Sequence, residues 1–63
     1  MEDYQKRIVE EKKVLDMKLD KLQDFIVSPC FDELPKKNQK LLRRQSHIMD
    51  LYTDVLDERI SLF

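Results

Sequence analysis

Three side chains in this sequence could bind an anionic ligand. Tyr4 and Lys18 share one face of a predicted N-terminal helix, and Arg59 lies within the apolar arc of a predicted C-terminal helix. Lys and Arg form charge-assisted hydrogen bonds with anions, and a tyrosine ring stacks on a base. Each residue also has a structural alternative. Tyr4 could fill a gap in the core, Lys18 could extend from its apolar face to solvent, and Arg59 could pair with a carboxylate across a subunit interface.

A basic stretch begins the second predicted helix, with five positive charges and no acid in nine residues: Lys36, Lys37, Lys40, Arg43 and Arg44. The amides of a helix N-terminus attract anions, so this stretch could bind phosphate. The alternative is a solvated face, or pairing with acids of the first helix. The net charge of −1 and the absence of helix-turn-helix spacing argue against DNA as a partner.

The composition argues against catalysis and against a metal or cofactor site. The sequence has no Gly, so it has no Gly-rich phosphate loop, and its one Cys and one His cannot form a zinc site within one chain. Cys30 and His47 are 17 residues apart, with no evident orienting group or oxyanion hole. We therefore expect no enzyme, no catalytic residue, no metal and no cofactor. Cys30 is expected to be a small buried residue.

An amphipathic helix is predicted over residues 2–27, because no Pro or Gly interrupts this range. Its inward series steps by four and three residues, close to the coiled-coil period: Ile8, Lys12, Leu15, Leu19, Leu22 and Ile26. A second series widens this face: Tyr4, Ile8, Glu11, Leu15, Lys18, Leu22 and Phe25. The opposite face is charged and is expected to be solvated.

Two prolines delimit a predicted connector over residues 28–35, with Ser28 as an N-cap before Pro29 and Pro35 as the first residue of the next helix. A second helix is predicted over residues 36–62. It carries two adjacent apolar heptad rows, one of Leu41, Ile48, Val55 and Leu62, the other of Leu42, Met49, Leu56 and Phe63. The polar row Gln45, Tyr52 and Arg59 runs between them.

These elements predict an all-α fold in which one domain, residues 1–63, forms an antiparallel two-helix hairpin. One apolar row of the second helix suffices for the hairpin, so the other is available to another chain. A chain of 63 residues without disulfides or metal usually needs self-association for stability. We therefore predict a homo-oligomeric helical bundle. No apolar run is long enough to span a membrane, and a single Cys fits an intracellular, reducing compartment.

The sequence resembles a group of short helical-hairpin bacteriophage proteins related to the phage anti-CBASS cyclic-nucleotide sponges. The first half of the resemblance consists of residues 4–12 (YQKRIVEEK), Leu15, Asp16, Lys21, Leu22, Phe25 and Ile26. The second half consists of Phe31, Leu34, Leu41, Leu42, Gln45, Met49, Tyr52, Val55, Leu56, Arg59, Ile60 and Phe63. The opening residues and the Gln45–Tyr52–Arg59 row are its most particular features.

The resemblance implies a homohexamer that sequesters cyclic di- and trinucleotides without cleaving them and so blocks the CBASS effector. It implies action in the cytoplasm of the infected bacterial host. Tyr4 and Lys18 match the residues that hold a cyclic dinucleotide between protomers, and Arg59 matches the residue that serves a separate cyclic trinucleotide site. The sequence departs from the family at Asp20, where a hydroxyl residue is expected.

Two other functions remain open at this stage. The protein could be an interaction module whose second apolar row docks on a host or phage protein. It could also be a nucleic-acid accessory factor that uses the basic stretch, in which case binding would depend steeply on salt.

Overall fold

Two long helices and one short helix form the structure, a computed structural model that describes residues 2–63. Helix α1 spans Asp3–Ile26, α2 spans Pro29–Asp32 and α3 spans Lys36–Ser61. Contacts of Tyr4 with Phe63 and of Lys12 with Asp57 show that α1 and α3 pack antiparallel. The molecule is a rod of 46 × 14 × 13 Å. The predicted all-α class and the pairing of two long helices are confirmed, and the oligomer stays a prediction.

The start and the end of α1 follow from local hydrogen bonds. Gln5 reaches back to the helix start, where its Oε1 accepts a hydrogen bond from the Glu2 amide at 2.8 Å. Asp3 places a negative charge in the first turn, where the helix dipole favours it. The helix ends at Ile26, three residues before a proline, and the Ser28 hydroxyl donates to the Phe25 carbonyl at 2.6 Å.

Phe31 and Gln39 fix the connection between the two long helices. Phe31 is fully buried, and its ring packs edge-on against Phe25 with the centroids 6.1 Å apart. Gln39 is also buried, and its Nε2 donates to the backbone carbonyls of Leu34 at 2.9 Å and Asp32 at 3.3 Å. A buried amide group costs stability unless it is hydrogen-bonded, so this side chain ties α3 to the connector.

Two local predictions about the connector are wrong. Pro35 is the N-cap of α3 and not its first residue, since Pro35 has an extended ψ of 146°. Cys30 is exposed and not buried. The short helix α2 explains the second difference, because adjacent positions in a helix point in different directions and Phe31 occupies the inward one.

The core is a narrow layer between α1 and α3. Its buried apolar residues are Ile8, Leu15, Leu19, Leu56 and Phe31. Met49 and Ile60 pack against the cluster that Ile8, Leu15 and Leu56 form. The heptad row that contains Leu56 therefore faces α1, whereas Leu41 and Ile48 of the adjacent row are each 56% exposed. The hairpin leaves one apolar row of α3 without a partner in the described chain.

Lys12 joins the two helices at the edge of this core. Its Nζ lies 2.7 Å from Asp16 Oδ2 on α1 and 3.3 Å from Asp57 Oδ1 on α3. The hydrogen bond with Asp16 is the main reason that the pKa of Lys12 lies above its ordinary value of 10.5, and Asp57 raises this pKa further. Because the pKa is raised on folding, these contacts stabilise the fold below pH 10.5, and the stabilisation is lost as the pH rises through the folded pKa.

Neither long helix is sufficiently apolar for the hydrocarbon core of a bilayer. Within residues 2–63 no helix has the length and hydropathy to cross a membrane.

Truncation of Leu56 tests the position of the core. Leu56 is fully buried and Met17 is 55% exposed. We expect Leu56→Ala to lower the free energy of unfolding by about 2–5 kcal/mol through cavity formation, and Met17→Ala to lower it by less than about 0.5 kcal/mol. Urea unfolding at one fixed chain concentration measures both. Equal losses in the two variants would show that the core is misplaced.

Replacement of Gln39 tests the connection. Gln39→Leu keeps an apolar stem but removes both donors, which leaves two carbonyls unsatisfied. We expect the free energy of unfolding to fall by about 1–3 kcal/mol. Gln23→Leu is the matched control because Gln23 is exposed on α1. A Gln39→Leu variant as stable as this control would contradict the structural role of the amide.

Candidate functional site

An open groove lies on one side of the hairpin, where the first half of α1 meets the middle of α3. Its volume is about 450 Å³, and its accessible lining is mainly apolar. The lining residues are Arg7, Glu10, Glu11, Val14, Leu15, Lys18 and Tyr52. Apolar surface with a few charged groups is the usual chemistry of a small-molecule site.

The helix pairing explains how residues far apart in sequence meet in this groove. Six of the seven lining residues belong to successive turns of α1, and Tyr52 comes from α3. The contact between Lys12 and Asp57 shows the antiparallel register, in which the middle of α3 lies beside the middle of α1. An aromatic ring from one helix thereby joins a lysine from the other in one concave surface.

The charges of the groove alternate along α1. Arg7 and Lys18 are 11 residues apart, which corresponds to about 16 Å along a helix. Glu10 and Glu11 lie between them. Lys18 can therefore attract a phosphate to the groove, and the ring of Tyr52 is an aromatic surface on which a base can stack. Glu10 and Glu11 oppose the binding of a further phosphate at the centre of the groove.

The structure places Lys18 in the groove but does not place Tyr4 there. Tyr4 is 58% exposed near the end of the hairpin, and its ring meets Phe63 edge-on with the centroids 6.0 Å apart. Tyr4 and Lys18 are 14 residues apart, or about 21 Å along α1. This distance favours a joint site in which the two residues come from different protomers, and that site stays a prediction.

Arg59 is exposed on α3, seven residues beyond Tyr52 and therefore on the same face of that helix. The ion pairs found within residues 2–63 all involve Lys12, so the Arg59 guanidinium has no carboxylate partner in the described part of the chain. Its role in binding stays a prediction. An exogenous anion and an acceptor in another subunit are both compatible with this position.

The basic stretch at the start of α3 also makes no ion pair with α1 in the described residues. Arg43 instead lies over the ring of Phe31, with Cζ 4.9 Å from the ring centroid. A cation–π contact of this kind stabilises the connector, so one of the five charges has a structural role. Among residues 2–63, no group of three His, Cys, Asp or Glu side chains could hold a metal ion.

Sequence reasoning missed Arg7 and Tyr52 as site residues. Tyr52 was visible in the Gln45–Tyr52–Arg59 row, but its proximity to Lys18 depends on the register of the hairpin. Arg7 was visible in the residues that carry the family resemblance. Its three-turn separation from Lys18 along one face of α1 is the signal that could have identified it.

Fold and groove together define a small helical-hairpin protein with a partly cationic groove. A family model described as Sequestin matches residues 2–62, which is nearly the whole chain. The chain therefore belongs to the Sequestin family, in agreement with its resemblance to the phage cyclic-nucleotide sponges. The family name denotes sequestration of a molecule. No curated protein and no solved structure matches the chain significantly.

The aromatic pair at the open end of the hairpin can be tested directly. The Phe63→Ala variant lacks the aromatic ring whose ring current shifts the Tyr4 resonances. We therefore expect the ring protons of Tyr4 to move toward their random-coil chemical shifts in NMR spectra. Leu62→Ala is the control because Leu62 is adjacent and 85% exposed. Unchanged Tyr4 shifts in Phe63→Ala would contradict the contact.

Proposed function

We propose that this protein sequesters cyclic di- and trinucleotides and releases them unaltered. The observation that carries the proposal is the groove that Lys18 and Tyr52 both line, in a chain that belongs to the Sequestin family. A cyclic nucleotide combines phosphate charge with stacking bases, and the groove offers a cation beside an aromatic ring. Binding without catalysis requires no nucleophile or general base, and we propose that the protein is not an enzyme.

The dinucleotide site in this proposal is shared between two protomers. Lys18 binds a phosphate from the groove of one protomer, and the exposed Tyr4 of a neighbour stacks on a base. The edge-on contact with Phe63 holds the Tyr4 ring while a face of that ring remains available. Asp20 lies two residues beyond Lys18, on a different side of α1 and outside the groove lining, so it does not stand beside a phosphate held at Lys18 in the groove.

The trinucleotide site in this proposal uses Arg59. Three copies of Arg59 around a symmetry axis would repel one another, and a ligand with three phosphates offsets that repulsion. A hexamer, which the family resemblance implies, contains such axes. The two sites use different helices, so loss of one should leave the other intact.

In the cell, the same chemistry would lower the free concentration of a signalling nucleotide. The proposed setting is the cytoplasm of a bacterium infected by a phage, where such a protein withholds the messenger that activates a CBASS effector. Hydrolysis is unnecessary for this effect, because bound messenger is withheld by mass action.

A second candidate function is favoured by the exposed apolar residues of α3, notably Ile48 at 56% and Val55 at 50%. A helix face of this kind also suits docking on a host or phage protein. The two functions differ in their small-molecule chemistry, because only sequestration requires Lys18 and Arg59.

Two variants test the separate sites by isothermal titration calorimetry. We expect Lys18→Ala to weaken cyclic dinucleotide binding about tenfold or more, since a charge-assisted hydrogen bond is lost, and to leave trinucleotide binding unchanged. Arg59→Ala should do the reverse. Lys13→Ala is the control because Lys13 is exposed on the opposite face of α1.

Chromatography of the released ligand completes the test, and we expect the nucleotide to be recovered intact. Parallel losses in Lys18→Ala and Arg59→Ala would indicate one shared site. Full binding of both ligands by both variants, or the absence of binding by the wild type, would contradict the proposal and favour the docking function.

A further inference from the structure

We infer that a second copy of this chain packs antiparallel on the outward face of α3, with Tyr52 at the centre of the contact. This outward face, here called the outer stripe, consists of Leu41, Gln45, Ile48, Tyr52, Val55, Arg59 and Leu62. The described chain leaves all seven exposed, from Tyr52 at 43% to Leu62 at 85% among the apolar members. The stripe is about 31 Å long at roughly 1.5 Å per residue.

The spacing of the outer stripe is that of a coiled coil. Its members follow one another at alternating steps of four and three residues. The face toward α1 has the same alternation, and its members are buried or half-buried: Gln39, Leu42, Ser46, Met49, Thr53, Leu56 and Ile60. Helix α3 thus carries two such series, and the hairpin covers only one of them. The spacing and exposure of the outer stripe therefore suit packing against a further helix.

The polar members of the stripe favour the antiparallel orientation. Gln45 and Arg59 each lie seven residues from Tyr52, on opposite sides of it. An antiparallel contact centred on Tyr52 brings Arg59 beside the partner's Gln45, whose amide oxygen can accept a guanidinium hydrogen bond. A parallel contact in register brings Arg59 against the partner's Arg59, and two guanidiniums repel each other.

Charges at the edge of the stripe indicate the same orientation. Arg44, Leu51 and Glu58 immediately precede the polar members Gln45, Tyr52 and Arg59, so they line one edge. An antiparallel copy brings Arg44 beside the partner's Glu58 twice, once at each end. Neither residue makes an ion pair within residues 2–63. In a parallel copy this edge faces the partner's row of Leu42, Met49, Leu56 and Phe63, so Arg44 gains no acidic partner there.

The contact also affects the groove. Tyr52 belongs to both the stripe and the groove lining, so a second copy on the stripe borders the groove and leaves to the ligand the part of the Tyr52 ring that faces the groove. Hydrogen bonding of Arg59 to an amide orients the guanidinium without neutralising it, and its charge remains available to an anionic ligand. The inference therefore deepens the proposed function, and it rests on the self-association that this function requires.

Charge reversal at the edge tests the pairing without ligand. Light scattering over a range of chain concentrations measures the mass, starting from 7.7 kDa for one chain. We expect Arg44→Glu or Glu58→Arg to raise the concentration of half-dissociation about tenfold or more. The double variant should restore association, because the opposite charges meet again. Lys13→Glu is the control, and circular dichroism confirms that each variant is helical.

Cross-linking tests the orientation independently. In a Cys30→Ser background, we expect a short bismaleimide to join Leu41→Cys chains to Leu62→Cys chains in a mixture, and Tyr52→Cys chains to one another. Leu41→Cys chains alone should not be joined.

Three results would overturn the pairing. The first is efficient self-cross-linking of Leu41→Cys, which indicates parallel packing. The second is unchanged association in both single charge reversals while the wild type is oligomeric, in which case the proposed ligand function survives. The third is a monomeric wild type, in which case the shared ligand site of the proposed function fails as well.

Discussion

A hairpin of two helices can bury only one face of each helix, and this constraint determines the rest of the molecule. The face of α3 that contains Leu56 packs on α1 and makes the core. The outer stripe and the cationic side chains other than Lys12 therefore remain exposed on the surface of the hairpin. A protein this small has a thin core, so apolar surface left outside favours association with another chain. In the proposed function, assembly and ligand binding therefore use the same outward surfaces.

The register of the hairpin decides which outward side chains can act together. Lys12 contacts acids on both helices, and Phe31 with Gln39 sets the connection at the closed end. Once these contacts are made, Tyr52 is beside the turn of α1 that carries Lys18, and Tyr4 is left at the far end. A residue such as Gln39 therefore influences the groove without touching it.

Much of the fold could be predicted from the sequence, because Pro29 and Pro35 separate two heptad patterns that contain no proline or glycine. Which of the two apolar rows of α3 faces α1 could not be predicted, because both rows have similar composition and only three-dimensional packing distinguishes them. The exposure of Cys30 depends on a single turn of α2, too short for a periodic signal. Lys18 was predicted as a site residue and lies in the groove. The position of Tyr52 in the same groove could not be predicted, because it depends on the register between α1 and α3.

A ligand that contacts two protomers is linked thermodynamically to their association. Binding to the assembled form alone shifts the equilibrium toward assembly and raises the apparent stability by mass action. In the proposed site, assembly would bring Tyr4 of one protomer to a ligand held at Lys18 of another, because the two residues are about 21 Å apart along α1. In that proposed assembly, the copies would supply both the apolar burial that the core of one chain lacks and the opposing wall of a binding site. On this account the exposed row of α3 and the exposed Tyr4 have one common cause, the limited surface that two helices can bury between them.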